Sequence, residues 1–541
     1  MSYPRPGCCS PGPAGVLPHT GLGRRTRSRE ASFALVARRS AGKDRTTPAR
    51  GVRKGVVATV VSPVDPTAAG FLLAENRSMP MHVGGLQLFR KPEGAGPDYV
   101  REMYLAMRDV EEVAPLFLKH PHRSVKTAGQ LVWREDEQFD IEHHVRHSAL
   151  PQPGRVRELL ELCSRLHSTR LAWERPLWEA HVIEGMADGR VAMYTKTHHA
   201  LVDGVSAMRL LQSVLTTDPD QRGMPAPWAA RPRPSEAPSD PGGSSDSGAT
   251  ATAPATGGAV SPADLPLEAF RTAMGITAEA AGLPAALVRT LTRSVRNETS
   301  ALSLYAPRTI LNRTITGSRR FAAQDWPVER LRAIGKATGT TLNDVVLAMC
   351  SGALRSYLDE LNALPDAPLV AMVPVGLKAK ESQLPSLEGG NAVGAVMVQL
   401  GTNLADPAQR LATVHRSMLD GKEALSSMTP IQILAMSAIG QAPAILTPLF
   451  RMQGLVRPPY NTIISNVPGP RTTHYWNGAE LLGTYPLSIP INGMALNITC
   501  TSYDGKMCFG LTGCRRTLPH LQRLLAFLDD EVAALEKAAD L

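Results

Sequence analysis

The chain has 541 residues, enough for two domains around a sizeable core. Its formal charge of +9 is unevenly spread: residues 1–60 hold 12 Lys+Arg against 2 Asp+Glu, leaving 46 basic and 47 acidic residues elsewhere. A near-neutral body lacks the footprint that nucleic acid requires, and seven cysteines without CxxC spacing argue against a disulfide framework or a zinc site and suit a reducing cytosol.

Residues 1–60 read as a disordered basic extension. In GRRTRSREASFALVARRS the apolar run ASFALVA is too short for a secretory core, and another arginine pair follows it directly. A membrane-adhesive arm is the alternative. Residues 61–218 form an N-terminal half that mixes strands with helices. Within it, His143-His144-Val145-Arg146-His147 invites a metal. That cluster has no neighbouring Cys, and Glu137, Asp140 and Glu142 fall in no ligand pattern, so a structural or surface role is expected and no metal site is assigned. Pro176-Leu177-Trp178 is expected to fix the strand beside the next one, with Trp178 in the core.

The stretch VAMYTKTHHAL reads as a buried strand, and VSAMRLLQSVL as a helix with Val205, Met208, Leu211 and Leu215 on one face. Between them, His198-His199-Ala200-Leu201-Val202-Asp203-Gly204 puts His199 and Asp203 four positions apart at a strand-to-helix turn, with Gly204 allowing tight backbone angles. Successive strand side chains alternate, so His198 and His199 should face opposite ways and cannot share one metal. One imidazole in a cleft with the other packed behind it suits general-base chemistry, because imidazole titrates near neutrality. A hydroxyl is a poor nucleophile until such a base takes its proton.

Residues 219–265 are dense in Pro, Ser, Gly, Ala and Thr and read as a disordered linker. The C-terminal half, 266–541, contains apparent strands LVAMVPV, VGAVMVQL and ALNITCTSY, a helix from the 340s to 358, and a last helix over 517–537. Leu521, Leu525, Leu528, Val532 and Leu535 are expected to make that last helix amphipathic. At the start of the first helix, Asn343 is read as the N-cap with Asp344 in the first turn, and the alternative is that this helix start faces a channel and polarises a carbonyl. Ser465-Asn466-Val467-Pro468-Gly469-Pro470 reads as a rigid turn. The uncharged stretch 424–450 carries Pro430, Pro443 and Pro448, poor material for a spanning helix. Ile431, Ile433, Leu434 and Leu446 make it a candidate for burial or for lipid contact. No repeat, phosphate loop or dinucleotide fingerprint is present.

HHALVDG resembles the active-site motif of the bacterial wax ester synthase/diacylglycerol acyltransferase family, a branch of the CoA-dependent acyltransferases. The likeness continues, in the family's order, through SPVDPTAAGFLLAENRSMPMHVGGLQLF, LPQPGR, RPLWEAHVIEGM, TLNDVVLAMCSGALRSYL, VPVGLK, GGN at 389–391, ISNVPGP and GMALNITCTSYDGKMCFGL. It therefore runs from about residue 61 to the C-terminus. The resemblance implies an α/β (α+β) two-domain chloramphenicol-acetyltransferase-like fold, with a channel between the halves and His199 near its middle. It implies that His199 is the general base, that Asp203 orients the turn through an arginine, and that Asn343-Asp344 is the family's ND motif. Gly376, Lys378, Cys514, His520 and Ala172 depart from the family's usual residues, which bears on substrate fit and local packing. The implied activity is diacylglycerol O-acyltransferase, with fatty acyl-CoA as co-substrate and no further cofactor. Wax ester synthesis on a fatty alcohol is the alternative; a non-catalytic lipid-binding homologue or a carrier-protein-dependent condensing enzyme follows behind it. Such an enzyme would be cytoplasmic and held peripherally at the inner face of a membrane or on lipid droplets.

Overall fold

The computed structural model describes residues 61–123, 129–230, 306–376, 393–426 and 457–541. The basic head, residues 231–265 of the expected linker, Lys378, the GGN segment and the stretch 427–450 lie outside the described residues.

The N-terminal half supplies β1 (Ser62–Pro63), α1 (Pro66–Ala74), β2 (His82–Arg90), α2 (Tyr99–Arg108), β3 (Lys119–Arg123) and β4 (Leu131–Glu135). The one-turn α3 (Ile141–His144), β5 (Val145–Ala149), α4 (Val156–Ser168), β6 (Trp178–Glu184), β7 (Val191–His198) and α5 (Gly204–Gln212) follow. The C-terminal half adds β8 (Arg319–Pro327), α6 (Val328–Thr338), α7 (Leu342–Glu360), β9 (Val370–Gly376), β10 (Val393–Gln399) and α8 (Pro407–Ser426). It closes with β11 (Thr462–Val467), β12 (Tyr475–Trp476), β13 (Ala479–Leu487), β14 (Leu496–Tyr503), β15 (Lys506–Cys514) and α9 (Arg523–Ala538).

The strands form two six-stranded sheets, ordered β12-β13-β2-β7-β6-β5 and β10-β9-β11-β14-β15-β8, and a small sheet β1-β4-β3. Most neighbours are antiparallel, while β5/β6, β11/β14 and β11/β9 are parallel. The three apolar runs expected as strands in the second half are β9, β10 and β14. Each large sheet has its own apolar core, giving the expected mixed α/β two-domain fold. The cores interlock, however. Strands β12 and β13 leave the C-terminal half and extend the N-terminal sheet through β13 against β2. In return Met79, Met81 and Val83 pack into the C-terminal core. Where β13 crosses β15, the Pro486 carbonyl lies directly over Gly510, and a methyl group at 510 would overlap it. Only glycine admits that approach.

Four expectations about local structure need correction. Residues 224–230 are packed, not part of a free linker: Trp228 is buried, stacks on Trp178 at 5.1 Å, and donates Nε1–H to the Met107 carbonyl at 2.9 Å. A single tryptophan is lost in a composition averaged over a Pro-rich window. The N-cap of α7 is Thr341, not Asn343; Thr341 Oγ1 accepts from Asp344 N–H at 3.3 Å while Asp344 Oδ2 accepts from Thr341 N–H at 2.9 Å. This capping box has the Thr-x-x-Asp pattern that the sequence displays. The last helix starts at Arg523 and buries Leu524, Leu528, Val532 and Leu535, leaving Leu525 only partly covered. Ser465, Asn466 and Val467 belong to β11, so the turn begins at Pro468.

Candidate active site

Strand β7 is buried along nearly its whole length as a central strand, flanked by β2 and β6, and it ends at His198. The chain then leaves the sheet. The His198 carbonyl accepts from Leu201 N–H at 2.9 Å and Val202 N–H at 3.2 Å, and the His198 ring accepts from Ala200 N–H through Nδ1 at 3.1 Å. His198 is thus the staple of the turn. With Nδ1 accepting, the ring proton sits on Nε2, which faces Glu75 Oε1 at 3.7 Å. Burial pushes the His198 pKa down to about 4, with the Glu75 carboxylate opposing the shift.

His199 lies beyond the strand end, so strand alternation does not place it; the turn does. Its N–H donates to the Met81 carbonyl at 2.8 Å, which ties the turn to the residue just ahead of β2. Its ring stacks on Phe71 of α1, with centroids 4.2 Å apart and planes at 22°. Among the described residues no other side chain hydrogen-bonds that ring. Burial lowers the His199 pKa, while a hydrogen bond to its own backbone and the charge of Asp203 oppose the shift. Burial thus favours the neutral imidazole, the form able to take a proton.

Asp203 is the N-cap of α5: its Oδ1 accepts from Ser206 N–H at 2.7 Å. It orients the turn by capping, a short-range bond that its spacing before the helix already contains. Gly204 is the first residue of α5 and does not adopt a positive φ; a Cβ there would meet nothing within 4 Å. The backbone freedom anticipated for it is not used.

Pro176 and Leu177, just ahead of β6, and Trp178 at its start brace the site. The Leu177 carbonyl accepts from His198 N–H at 2.9 Å. Trp178 is buried, and its Nε1–H donates to the Phe117 carbonyl at 2.8 Å. The ND pair has its own partners. Asp344 Oδ2 accepts from His415 Nδ1 at 2.8 Å, and Asn343 Oδ1 accepts from Asn466 Nδ2 at 3.4 Å. The ND and SNVPGP segments therefore touch each other.

The 143–147 histidines have separate structural partners. His144 is buried between Phe139 and Trp178 and bonds the Trp178 carbonyl through Nδ1 at 2.8 Å, while His147 lies 3.4 Å from Glu184. Among the described residues no three His, Cys, Asp or Glu side chains are grouped to hold a metal. Of the departures noted in the sequence, Gly376 and Ala172 are exposed, His520 occupies a left-handed turn at φ 53°, and Cys514 is buried with Sγ accepting from Thr316 N–H at 3.4 Å.

Sequence reasoning missed the group behind the turn. Glu75 follows α1 with its carboxylate fully buried. That carboxylate accepts from Trp173 Nε1–H at 2.8 Å, Arg170 Nη2 at 3.0 Å and Met81 N–H at 3.2 Å. His82 of β2 stands in register with His198. Two residues before His198, Lys196 is buried, pairs with Glu179 at 3.2 Å and donates to the Leu166 and Thr169 carbonyls. The available signal was Phe71 and Glu75 four apart in FLLAE, one helical turn with an acid at its end.

Two interlocked α/β sheets thus carry the HHALVDG turn at the end of a central strand. The chain matches the wax ester synthase/diacylglycerol acyltransferase catalytic domain over residues 62–346 and the family's C-terminal domain over 389–536, and it belongs to that family. It is 46% identical over 474 residues to a probable diacylglycerol O-acyltransferase of Mycobacterium tuberculosis strain H37Rv, covering 87% of this chain and 98% of the relative. A putative diacylglycerol O-acyltransferase of the same strain is 45% identical, covering 89% and 100% respectively. Among solved structures, the wax ester synthase/diacylglycerol acyltransferase from Marinobacter aquaeolei VT8 is 41% identical, with a TM-score of 0.67 over 89% of this chain and 100% of that one. Family membership implies acyl-CoA and an acceptor as substrates. Among the described residues no helix is long and apolar enough to cross a membrane.

Proposed function

We propose that this protein is a diacylglycerol O-acyltransferase that makes triacylglycerol from fatty acyl-CoA and diacylglycerol, with His199 as general base. The observation that carries the reading is the placement of His199, set just past the end of a central strand by a turn that His198 staples and Asp203 caps and that the Met81 carbonyl ties to the residue ahead of β2. The names of the mycobacterial relatives support diacylglycerol as acceptor.

In the proposed step His199 takes the hydroxyl proton as the alcohol oxygen attacks the thioester carbonyl carbon. The tetrahedral intermediate collapses, the C–S bond breaks, and the imidazolium returns its proton to the leaving sulfur, so the products are triacylglycerol and CoA thiol. General-base assistance is worth about 10²- to 10⁴-fold. In this reading His198 and Asp203 shape the turn and Pro176, Leu177 and Trp178 brace it from behind, while Asn343 and Asp344 serve the start of α7. Because the acceptor is insoluble in water, the enzyme works at a membrane or lipid-droplet surface on the cytoplasmic side, bound peripherally.

The test is the full-length protein with radiolabelled palmitoyl-CoA, offered diacylglycerol or hexadecanol in turn, with lipid products resolved. Labelled triacylglycerol supports the reading. Wax ester alone moves the acceptor to a fatty alcohol, and no transfer to either lipid overturns the enzyme assignment. Flotation with and without carbonate washing checks the peripheral attachment; protein that resists stripping contradicts it.

A further inference from the structure

Helix α1 meets the histidine turn directly, and nothing in its sequence is charged between Pro66 and Ala74. Its buried face, Ala68 and Leu72, packs with Leu171 and Leu177 and with Ala200 and Leu201 of the turn itself. Asp65 caps its start, accepting from Ala68 N–H at 2.9 Å. At its end Glu75 N–H donates to the Phe71 carbonyl at 3.1 Å, and the buried Glu75 carboxylate anchors the following residues. Phe71 therefore sits on a helix secured at both ends, and its side chain also packs against the C-terminal core. From that support it presents its ring face to His199 at 4.2 Å and 22°.

We propose that Phe71 is a positioning residue for His199, a flat apolar wall that holds the imidazole plane in the orientation from which it takes the acceptor's proton. The inference rests on the reading of His199 as the base. An imidazole has two free side-chain torsions, and among the described residues no other side chain hydrogen-bonds this one. Beside the ring's hydrogen bond to its own backbone, the stack is the side-chain contact that restricts its rotation. An aromatic pair of this kind contributes about 0.5–1.5 kcal/mol beyond burial, and small misplacement of a reacting group costs up to about 10² in rate.

The wall also sheds water from one face of the ring. The groups facing His199 or its neighbour are Asp203 and His198 on the turn, His82 on β2, and Glu75 and Arg170 behind His198; α1 itself contributes no charge. Burial is the largest influence on His199 and lowers its pKa. Loss of the wall lets that pKa rise towards its ordinary value, so the base stays protonated to a higher pH.

The experiment compares Phe71→Leu, Phe71→Tyr and His199→Ala in the full chain, using palmitoyl-CoA and diacylglycerol across pH 5–8. Phe71→Leu should lower kcat about tenfold with KM nearly unchanged and move the acidic limb of the pH profile upward, and Phe71→Tyr, which keeps a planar ring, should restore kcat to within about twofold. Phe71→Met, close in volume, replaces the leucine variant if that one does not fold. An unchanged kcat and acidic limb in the leucine variant overturns the proposal, as does an equal loss in the tyrosine variant or an effect confined to KM. His199→Ala separates the two readings: residual turnover there sinks the base assignment, whereas an inactive His199→Ala beside an unaffected Phe71→Leu sinks only the positioning role.

Discussion

Replacing Glu75 by alanine removes the acceptor around which the histidine turn is built. Trp173 Nε1–H and Met81 N–H each lose a partner, at 2.8 and 3.2 Å. A buried donor left without an acceptor costs about 1–3 kcal/mol, so the pair together costs about 2–6 kcal/mol. Arg170 adds little, because its side chain is 40% exposed and can turn to water. The His198 contact at 3.7 Å is too long to count as a full hydrogen bond. At roughly 2 °C per kcal/mol for a large domain, the melting temperature should fall by about 4–12 °C. Activity should fall further than the folded fraction, since Met81 also holds His199 N–H through its carbonyl at 2.8 Å. Thermal melts, together with release of CoA thiol measured well below the melting range, check both effects. Glu75→Gln keeps one acceptor oxygen and should lose about half as much stability. A Glu75→Ala protein with unchanged melting temperature and unchanged kcat would refute the argument that this carboxylate organises the turn.

His199→Ala should fold normally and show no measurable acyl transfer, whereas His198→Ala should lose both stability and activity because its ring and carbonyl staple the turn; a stable, fully active His198→Ala would be the contrary result. Asp203→Ala removes the α5 cap, costing about 1 kcal/mol by thermal melt, and should reduce kcat with it. Gly352→Ala places a methyl on the Glu531 carboxylate, which pairs with Arg410 at 2.5 Å in a buried site; breaking such a pair costs about 3–5 kcal/mol, while activity per folded molecule should persist. Stability should also fall as pH drops below about 6.5. Burial holds His144 and His198 down to about 4 and His167 to about 3, so the unfolded chain binds protons first and each histidine costs up to about 1.4 kcal/mol per pH unit in that window. A melting temperature that is flat between pH 7 and 5 would contradict this.

The local grammar of the chain was legible without a structure. The change from a continuous apolar run to helical spacing around residue 200 located β7, the turn and α5, and the three apolar runs of the second half located β9, β10 and β14. These elements are encoded by period and by side-chain-to-backbone bonds over a few residues, as the Asp203 cap illustrates. Even some local errors, such as Asn343 preferred over Thr341 as the cap, lay within reach of the Thr-x-x-Asp pattern. Tertiary structure alone decided the rest. That His198 is the buried staple and His199 the available ring depends on Glu75, Phe71 and Met81, more than a hundred residues earlier in the chain. That β12 and β13 complete the opposite sheet depends on β2, some four hundred residues away. Periodicity states which face of a segment is apolar, but not which distant face will cover it. That choice follows from shape and from satisfying buried polar atoms together across the whole chain, as with the Glu75 carboxylate and its three donors from Trp173, Arg170 and Met81.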